Sequence, residues 1–189
     1  NYINCNIDTI IIGFIMNYTP SILNINLPPL SQRVRPQILS DYIGQKKLID
    51  KDSLLYSAIN TKNPFSMIFW GPPGTGKTTL AKILSREFKA TFFELSAVSA
   101  GVSKIREILQ KAENSFEIGK RCILFIDEIH RFNKSQQDTL LHAVENGSII
   151  LIGATTENPS FEINSPLLSR CTILKLNYLK TEDLIEILK

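Results

Sequence analysis

Cysteine and histidine are scarce in this chain of 189 residues. Its three cysteines, Cys5, Cys122 and Cys171, form no CxxC pair and no even-numbered set, which argues against a disulfide-stapled secreted domain. Cys122 and Cys171 each begin an apolar run, so we expect buried free thiols and a reducing compartment. The two histidines, His130 and His142, lack the spacing of a metal site.

Long hydrophobic runs are also missing. The apolar run Thr9–Met16 is far too short to cross a bilayer, so we expect no membrane partner. The chain start lacks the basic residues and the small-residue cleavage site of a secretory signal. The first 26 residues are rich in Asn and Ile and contain one charged residue, Asp8. Because Met16 is the first methionine, we leave residues 1–26 unassigned, as a segment that is disordered or upstream of the true start.

Neither sign of charge dominates. The chain carries 21 Lys and Arg against 18 Asp and Glu, for a net charge of +3. This small excess is compatible with nucleic-acid binding, but an ordinary soluble surface explains the charge better. The hydrophobic fraction of 43% fits one globular domain with a substantial core.

The strongest positive signal is the segment Gly71-Pro72-Pro73-Gly74-Thr75-Gly76-Lys77-Thr78, which matches G-x-x-x-x-G-K-[ST] without a mismatch. An apolar run precedes it and a helical pattern over Thr79–Phe88 follows, as a phosphate loop requires. Its glycines let backbone N–H groups and a helix N-terminus point at a phosphate chain. Lys77 would reach the β- and γ-phosphates, and the Thr78 hydroxyl would ligate Mg²⁺.

Strand and helix patterns alternate along the chain, which predicts an α/β fold with a five-stranded parallel sheet flanked by helices. The predicted strands are short and nearly continuously apolar, as strands buried on both faces are. They are Ser66–Trp70, Thr91–Leu95, Cys122–Ile126, Ile149–Ala154 and Thr172–Leu176. The predicted helices are Lys46–Asn60, Lys77–Phe88, Val102–Phe116 and Ser135–Glu145, with a short turn around Ser165–Ser169. Ligands of such sheets lie beyond the carboxyl ends of the strands.

Two carboxylates, Asp127 and Glu128, follow the third apolar run. Beside a phosphate loop, Asp127 would hold Mg²⁺ through its water shell, and Glu128 would orient and deprotonate the attacking water. Acidic residues often end a buried strand at the surface, so the pair is a weak signal by itself. The phosphate loop earlier in the chain makes the catalytic interpretation the favoured one.

Polar residues near the last two strands complete the candidate site. Thr156 is the first candidate to contact the γ-phosphate or the attacking water, and Asn158 is the second. An ordinary polar turn without a role in catalysis explains this segment equally well. Arg170 suits a developing phosphoryl charge because its guanidinium is planar and always protonated. If Arg170 lies far from its own phosphate loop, it must serve a neighbouring subunit. A plain surface arginine is the alternative.

The segment after the carboxylates contains a helix start. Asn133 with Gln136 resembles a capping box, which is a structural role. Arg131 and Lys134 add positive charge close to it and would meet a DNA backbone, or remain part of a solvated loop.

These motifs together resemble the AAA+ ATPases, and within them the replication-associated recombination protein A family and its eukaryotic relative, the Werner helicase-interacting protein. HRFNKSQQD joined to GATTENPSFE is more specific than the phosphate loop, and clamp-loader ATPases and the branch-migration motor lack that pair. The resemblance covers about residues 28–189. It lies in Gly71–Thr79, Ile126–Asp138, Leu151–Glu162 and Leu167–Cys171, and upstream in Pro29-Leu30, Arg33, Arg35-Pro36 and Asp41–Gln45, an adenine-side segment.

The resemblance implies an ATPase that uses ATP and Mg²⁺, forms a homo-oligomer and acts on forked, gapped or ended DNA in replication-fork maintenance, recombination and repair. It implies that Gly71–Thr79, Ile43 and Asn158 bind the nucleotide and that Thr78 and Asp127 bind the metal. It makes Glu128, Thr156 and Arg170 catalytic, with Arg170 acting in trans. A single-stranded-DNA-binding protein is a further expected partner. The expected location is the bacterial cytoplasm, associated with the nucleoid, with the nucleus as the alternative.

The domain organisation follows from the same resemblance. We expect an AAA+ core over residues 27–178 and the start of a helical lid over residues 179–189. Because the chain stops at Lys189 inside a helix predicted to begin near Thr181, we expect a truncated lid and poor ATP turnover by this chain alone. Two alternatives stay open: a clamp-loader-type ATPase subunit, and a nucleotide-binding module without turnover.

Overall fold

The computed structural model describes Pro29 and residues 33–188, and its contacts divide the chain between Arg35 and Pro36. In the first unit, the Pro29 carbonyl accepts a hydrogen bond of 3.2 Å from the Arg33 N–H. The expectations for residues 1–26 fall outside the described residues. No helix in the described part of the chain is both long and apolar enough to cross a membrane. The predicted domain boundaries stay predictions.

Five parallel strands form one sheet in the second unit, in the order β2-β3-β4-β1-β5. Each strand begins and ends within one residue of the bounds predicted from its apolar run. The α/β class with a five-stranded parallel sheet is therefore confirmed. The strands are β1 (Met67–Trp70), β2 (Thr91–Ser96), β3 (Cys122–Asp127), β4 (Ile150–Thr155) and β5 (Thr172–Lys175).

Helices precede the sheet, connect its strands and follow it. Single 3₁₀ turns occur at Leu39–Asp41 and Ile129–Arg131. The α-helices are α1 (Lys46–Ile49), α2 (Leu54–Thr61), α3 (Lys77–Glu87), α4 (Val102–Glu117), α5 (Lys134–Glu145), α6 (Pro159–Glu162), α7 (Ser165–Leu168) and α8 (Thr181–Ile187).

The prediction of one helix over Lys46–Asn60 is wrong, because the helix is interrupted between α1 and α2. Asp50 leaves α1 with an extended backbone at ψ 154°. Ser53 then caps α2 by accepting a 3.1 Å hydrogen bond from the Tyr56 N–H. Short polar side chains satisfy free backbone N–H groups at a helix start, so they favour a new N-terminus over a continuous helix.

Two hydrophobic layers sandwich the sheet, which explains why its strands are apolar throughout. Met67 and Phe69 of β1 face one layer, where they join Leu80 of α3. Ile68 faces the other layer with Ile105 of α4. All five side chains are fully buried. Successive strand residues point to opposite faces, so a strand covered on both sides needs an apolar residue at every position.

The strand order decides which loops meet. Because β1 and β3 both flank β4 and all strands are parallel, the carboxyl ends of these three strands lie side by side. The segments that follow them, Gly71–Gly76, Glu128 and Thr156, therefore share one edge of the sheet. Arg170 precedes β5 and lies at the opposite edge.

Candidate nucleotide-binding site

The phosphate loop leaves β1 at Gly71, and α3 begins at Lys77. The Gly71 N–H donates a 3.1 Å hydrogen bond to the Thr155 carbonyl of β4. A Cβ atom on Gly71 would clash with the Leu176 carbonyl oxygen, so only glycine fits there. Gly76 has a φ of +90°, a conformation that residues with side chains rarely adopt. Both glycines therefore allow the backbone to turn tightly around the predicted phosphate position.

Lys77 lies inside this loop and is 9% exposed. Its Nζ atom donates hydrogen bonds of 2.7 Å to the Gly71 carbonyl and 2.9 Å to the Pro72 carbonyl. Burial lowers the pKa of Lys77, while the negative charges of Glu128 and Asp127 oppose that shift. The ammonium group is thus held by the loop and interacts electrostatically with the predicted general base Glu128 and the predicted metal ligand Asp127.

The Tyr42 side chain contacts the backbone of the phosphate loop. Its hydroxyl hydrogen is shared between the Thr75 and Gly76 carbonyls, at oxygen–oxygen distances of 3.3 and 3.4 Å. Burial raises the pKa of Tyr42, so the hydroxyl keeps its proton and remains a donor. The Thr75 hydroxyl closes the loop internally with a 3.0 Å hydrogen bond to the Pro72 carbonyl. The sequence resemblance pointed to this adenine-side segment but did not single out Tyr42.

The adenine-side segment is tied to the chain that follows β5. The Gln45 side chain donates to the Asn177 carbonyl at 2.7 Å and accepts from the Asn177 N–H at 2.9 Å. A Cβ atom on Gly44 would clash with the Leu179 side chain, which shows how closely the two segments approach. Ile43 is half-buried beside Tyr42, and its contact with a nucleotide stays a prediction.

The two carboxylates occupy the end of β3. Asp127 is its last residue, and its carbonyl accepts a 2.9 Å hydrogen bond from the Ala97 N–H. Glu128 has a φ of +54°, an uncommon conformation for a residue other than glycine, and it turns the chain sharply out of the strand. Backbone conformations of this kind cluster at functional sites. The Oε2 atom of Glu128 is buried and makes no hydrogen bond within the described part of the chain.

Thr155, rather than its predicted neighbour Thr156, forms the hydrogen bonds at the end of β4. Thr155 is fully buried, and its Oγ1 accepts a 3.0 Å hydrogen bond from the Glu157 N–H. The same oxygen lies 3.0 Å from Nδ1 of His130. Thr156 follows in the chain and is half-buried. The sequence does not distinguish the two adjacent threonines, and it carries no sign that His130 contacts one of them.

Asn158 has a structural role in addition to its predicted one. Its Oδ1 atom accepts a 3.1 Å hydrogen bond from the Ser160 N–H and so caps the short helix α6. This interaction fixes the loop that follows Thr156. A nucleotide contact of Asn158 remains a prediction.

Arg170 lies too far from its own phosphate loop to contact it. Thr172 pairs with Met67 at the start of β1, and the loop begins beyond the other end. Each strand residue advances the chain about 3.3 Å, so the length of β1, on the order of 13 Å, separates them. The Arg170 guanidinium instead donates to the Pro166 carbonyl at 2.7 Å and pairs with Glu145 at 2.5 Å.

The described residues contain no group of three or more His, Cys, Asp or Glu placed to hold a metal ion. A Mg²⁺ site of the predicted kind does not need one, because Mg²⁺ at phosphate sites takes one or two protein oxygens together with substrate phosphates and water. Thr78 follows Lys77 on the first turn of α3, and Asp127 ends a strand at the same sheet edge. The oxygen donors present therefore fit Mg²⁺ with a bound phosphate chain.

Comparison with known protein families decides the identity of this core. Residues 67–177 match the family described as "ATPase family associated with various cellular activities (AAA)". The chain belongs to this family. The match covers the phosphate loop, both carboxylates, Thr156 and Arg170, so every predicted catalytic residue of this AAA core lies inside it.

Two relatives confirm the resemblance to the replication-associated recombination protein A family. The chain is 52% identical over 160 residues to replication-associated recombination protein A of Escherichia coli (strain K12), covering 85% of this chain and 36% of the relative. It is 52% identical over 161 residues to ATPase WRNIP1 of Dictyostelium discoideum, covering 85% of this chain and 18% of the relative. The chain thus spans about a third or less of the length of these relatives.

A solved structure confirms the AAA fold independently. The Thermotoga maritima RuvB Holliday junction branch migration motor superimposes with a TM-score of 0.68 at 35% identity. The superposition covers 82% of this chain and 53% of that one. The likeness therefore concerns the AAA core and leaves nearly half of the RuvB chain without a counterpart here.

Proposed function

We propose that this chain is the core of a DNA-dependent ATPase that acts in replication-fork maintenance, recombination and repair, and that ATP is hydrolysed where two copies meet. One observation carries the proposal. The phosphate loop, the carboxylates Asp127 and Glu128, and the threonine end of β4 share one sheet edge, while Arg170 lies at the other. Such an arrangement suits a site that is completed by a neighbouring subunit.

Nucleotide binding is assigned to the loop Gly71–Thr79. The triphosphate would take the Lys77 ammonium away from the two loop carbonyls that it now contacts. The N-terminus of α3 and the loop N–H groups favour a negative charge at the same place. We assign Ile43 to the adenine side of the site and Asn158 to the γ-phosphate side.

The metal site is assigned to Thr78 and Asp127, whose side-chain oxygens suit a hard cation. When bound, Mg²⁺ neutralises charge that develops on the phosphates during hydrolysis. Thr78 would be positioned by the first turn of α3, and Asp127 by the last residue of β3.

The hydrolytic step is assigned to three further residues. Glu128 would accept a proton from the attacking water, because its partly exposed side chain directly follows β3 at the sheet edge of the phosphate loop. Thr156 would contact the γ-phosphate or that water. Arg170 of a neighbouring copy would stabilise the charge that develops on the transferred phosphoryl group.

Action on DNA is proposed from the names of the relatives, which refer to replication-associated recombination and to a Holliday junction motor. Forked, gapped or ended DNA is the proposed substrate, and a single-stranded-DNA-binding protein a further partner. Arg131 and Lys134 lie before and at the start of α5 and would offer positive charge to a DNA backbone. The proposed location is the bacterial cytoplasm, at the nucleoid.

Replacing Lys77 with alanine is expected to weaken ATP binding roughly 100-fold, because two charge-assisted hydrogen bonds to phosphate are lost. The dissociation constant of a fluorescent ATP analogue measures this loss. Lys82→Ala is the matched control, since Lys82 lies on the same helix and pairs with Glu94 instead. Unchanged affinity in Lys77→Ala, with the control also unchanged, would refute the nucleotide site.

A further inference from the structure

Three side chains from two segments meet at the proposed catalytic site: Glu128 and His130 after β3, and Thr155 at the end of β4. His130 belongs to the 3₁₀ turn after β3, and its side chain is 10% exposed. Its Nδ1 atom lies 3.2 Å from Oε2 of Glu128 and 3.0 Å from Oγ1 of Thr155. The histidine therefore bridges the ends of β3 and β4.

The Glu128 oxygen in this cluster lacks a well-aligned partner. Oε2 of Glu128 is buried, and its short approach to His130 does not have hydrogen-bond geometry. A buried carboxylate oxygen without a hydrogen bond is unfavourable, and more so when it is charged. Lys77 also interacts electrostatically with Glu128. A small rotation of His130 would give Oε2 the hydrogen bond that it lacks.

His130 can serve only one of its two neighbours at a time. A hydrogen on Nδ1 is donated to one acceptor at a time. In one arrangement Nδ1 donates to Oγ1 of Thr155, whose hydroxyl turns to the Glu157 carbonyl at 3.3 Å, and Glu128 stays open. In the other, after a small rotation of the ring, the same hydrogen is donated to Oε2 of Glu128, so the change needs no proton transfer. The cluster therefore has two discrete hydrogen-bond arrangements.

We propose that His130 is a positioning residue that couples the end of β4 to Glu128. This inference rests on the function proposed above. Thr156, the proposed γ-phosphate contact, is the residue directly after Thr155, so a phosphate that moves Thr156 also moves the partner of His130. When His130 donates to Glu128, the general base is held in place, and when His130 turns to Thr155, the general base is released. The bound nucleotide decides between the two through Thr156.

The test compares His130→Ala and His130→Asn in the complete natural protein that contains this core. His130→Ala is expected to lower kcat roughly 10- to 100-fold, as removal of a residue that orients a reacting group does. ATP affinity should change by less than about twofold, since His130 does not touch the phosphate loop. His130→Asn, which keeps a donor and an acceptor close to the Nδ1 position, should recover part of the rate. The control is His142→Ala, because His142 is exposed on α5.

A double-mutant cycle separates coupling from a merely structural role. Thr155→Val removes the hydroxyl and keeps the shape of the side chain. If His130 acts through Thr155, the double variant should lose no more rate than the more damaging single variant. Strictly additive losses would overturn the proposal. An unchanged kcat in His130→Ala would overturn it too, as would a loss of ATP affinity as large as the loss of kcat.

Glu128→Gln measured in parallel distinguishes the possible failures. If Glu128→Gln abolishes turnover while His130→Ala leaves it normal, the positioning role alone is wrong. If Glu128→Gln turns over normally, or the unmodified protein hydrolyses no ATP, the proposed function fails and the positioning role fails with it.

Discussion

Glu128→Gln is expected to bind ATP almost normally and to hydrolyse it roughly 10²- to 10⁴-fold more slowly. The amide keeps the shape of the carboxylate but cannot accept the proton of the attacking water. ATP binding should persist because the side chain assigned to the phosphates is that of Lys77, which lies inside the loop, and not that of Glu128. Single-turnover phosphate release and the dissociation constant of ATP, measured on the same sample, check both halves of this result.

A matched control for Glu128→Gln is Glu162→Gln. Glu162 is an exposed glutamate of α6, close in sequence to the same loop, and has no assigned role. The Glu162→Gln variant should hydrolyse ATP as fast as the unmodified protein. Normal turnover by Glu128→Gln would rule out Glu128 as the general base, and the proposed hydrolytic mechanism would then be wrong.

Arg170→Ala is expected to lower kcat of the assembled protein about 10³- to 10⁵-fold, the range found for arginines that stabilise phosphoryl transfer. The fold should survive, because the partly exposed Arg170–Glu145 ion pair contributes about 1 kcal/mol or less. ATP affinity of the isolated subunit should not change, since Arg170 lies at the far edge of the sheet. Arg121→Ala is the control, because Arg121 lines a surface cleft together with Arg170 and Glu145.

Mixing two inactive variants tests whether Arg170 acts in trans. An assembly of Arg170→Ala and Glu128→Gln subunits contains some interfaces with an intact glutamate on one side and an intact arginine on the other. Those interfaces should hydrolyse ATP, although neither variant does so alone. If Arg170 instead serves its own subunit, every site lacks one of the two groups and mixing restores no activity.

The strands and the phosphate loop could be predicted from the sequence because their signals are local. A strand buried on both faces needs an apolar residue at each position, and Gly71–Thr78 carries its own pattern of glycines and lysine. The break between α1 and α2 was missed because Leu54–Thr61 continues the helical pattern across the cap at Ser53. The strand order could not be predicted from local patterns, because it depends on contacts between segments that are distant in sequence.

The candidate site shows the same limit. Asp127 and Glu128 stand out as carboxylates at the end of an apolar run, whereas the link between His130 and Thr155 spans 25 positions of sequence. Tyr42 reaches Thr75 across 33 positions. Such contacts arise when β3 and β4 pair and when the adenine-side segment folds under the loop. A single sequence carries no signal for them.

Steady-state ATP hydrolysis by the complete natural protein tests most directly the proposal that this core belongs to a DNA-dependent ATPase. Hydrolysis is measured without DNA and with forked, gapped and fully paired duplexes, at one fixed salt concentration because contacts to phosphate depend strongly on salt. We expect forked or gapped DNA to raise turnover above that with the paired duplex. Tight ATP binding without turnover on any DNA, or stimulation only by a sliding clamp on primed DNA, would contradict this function.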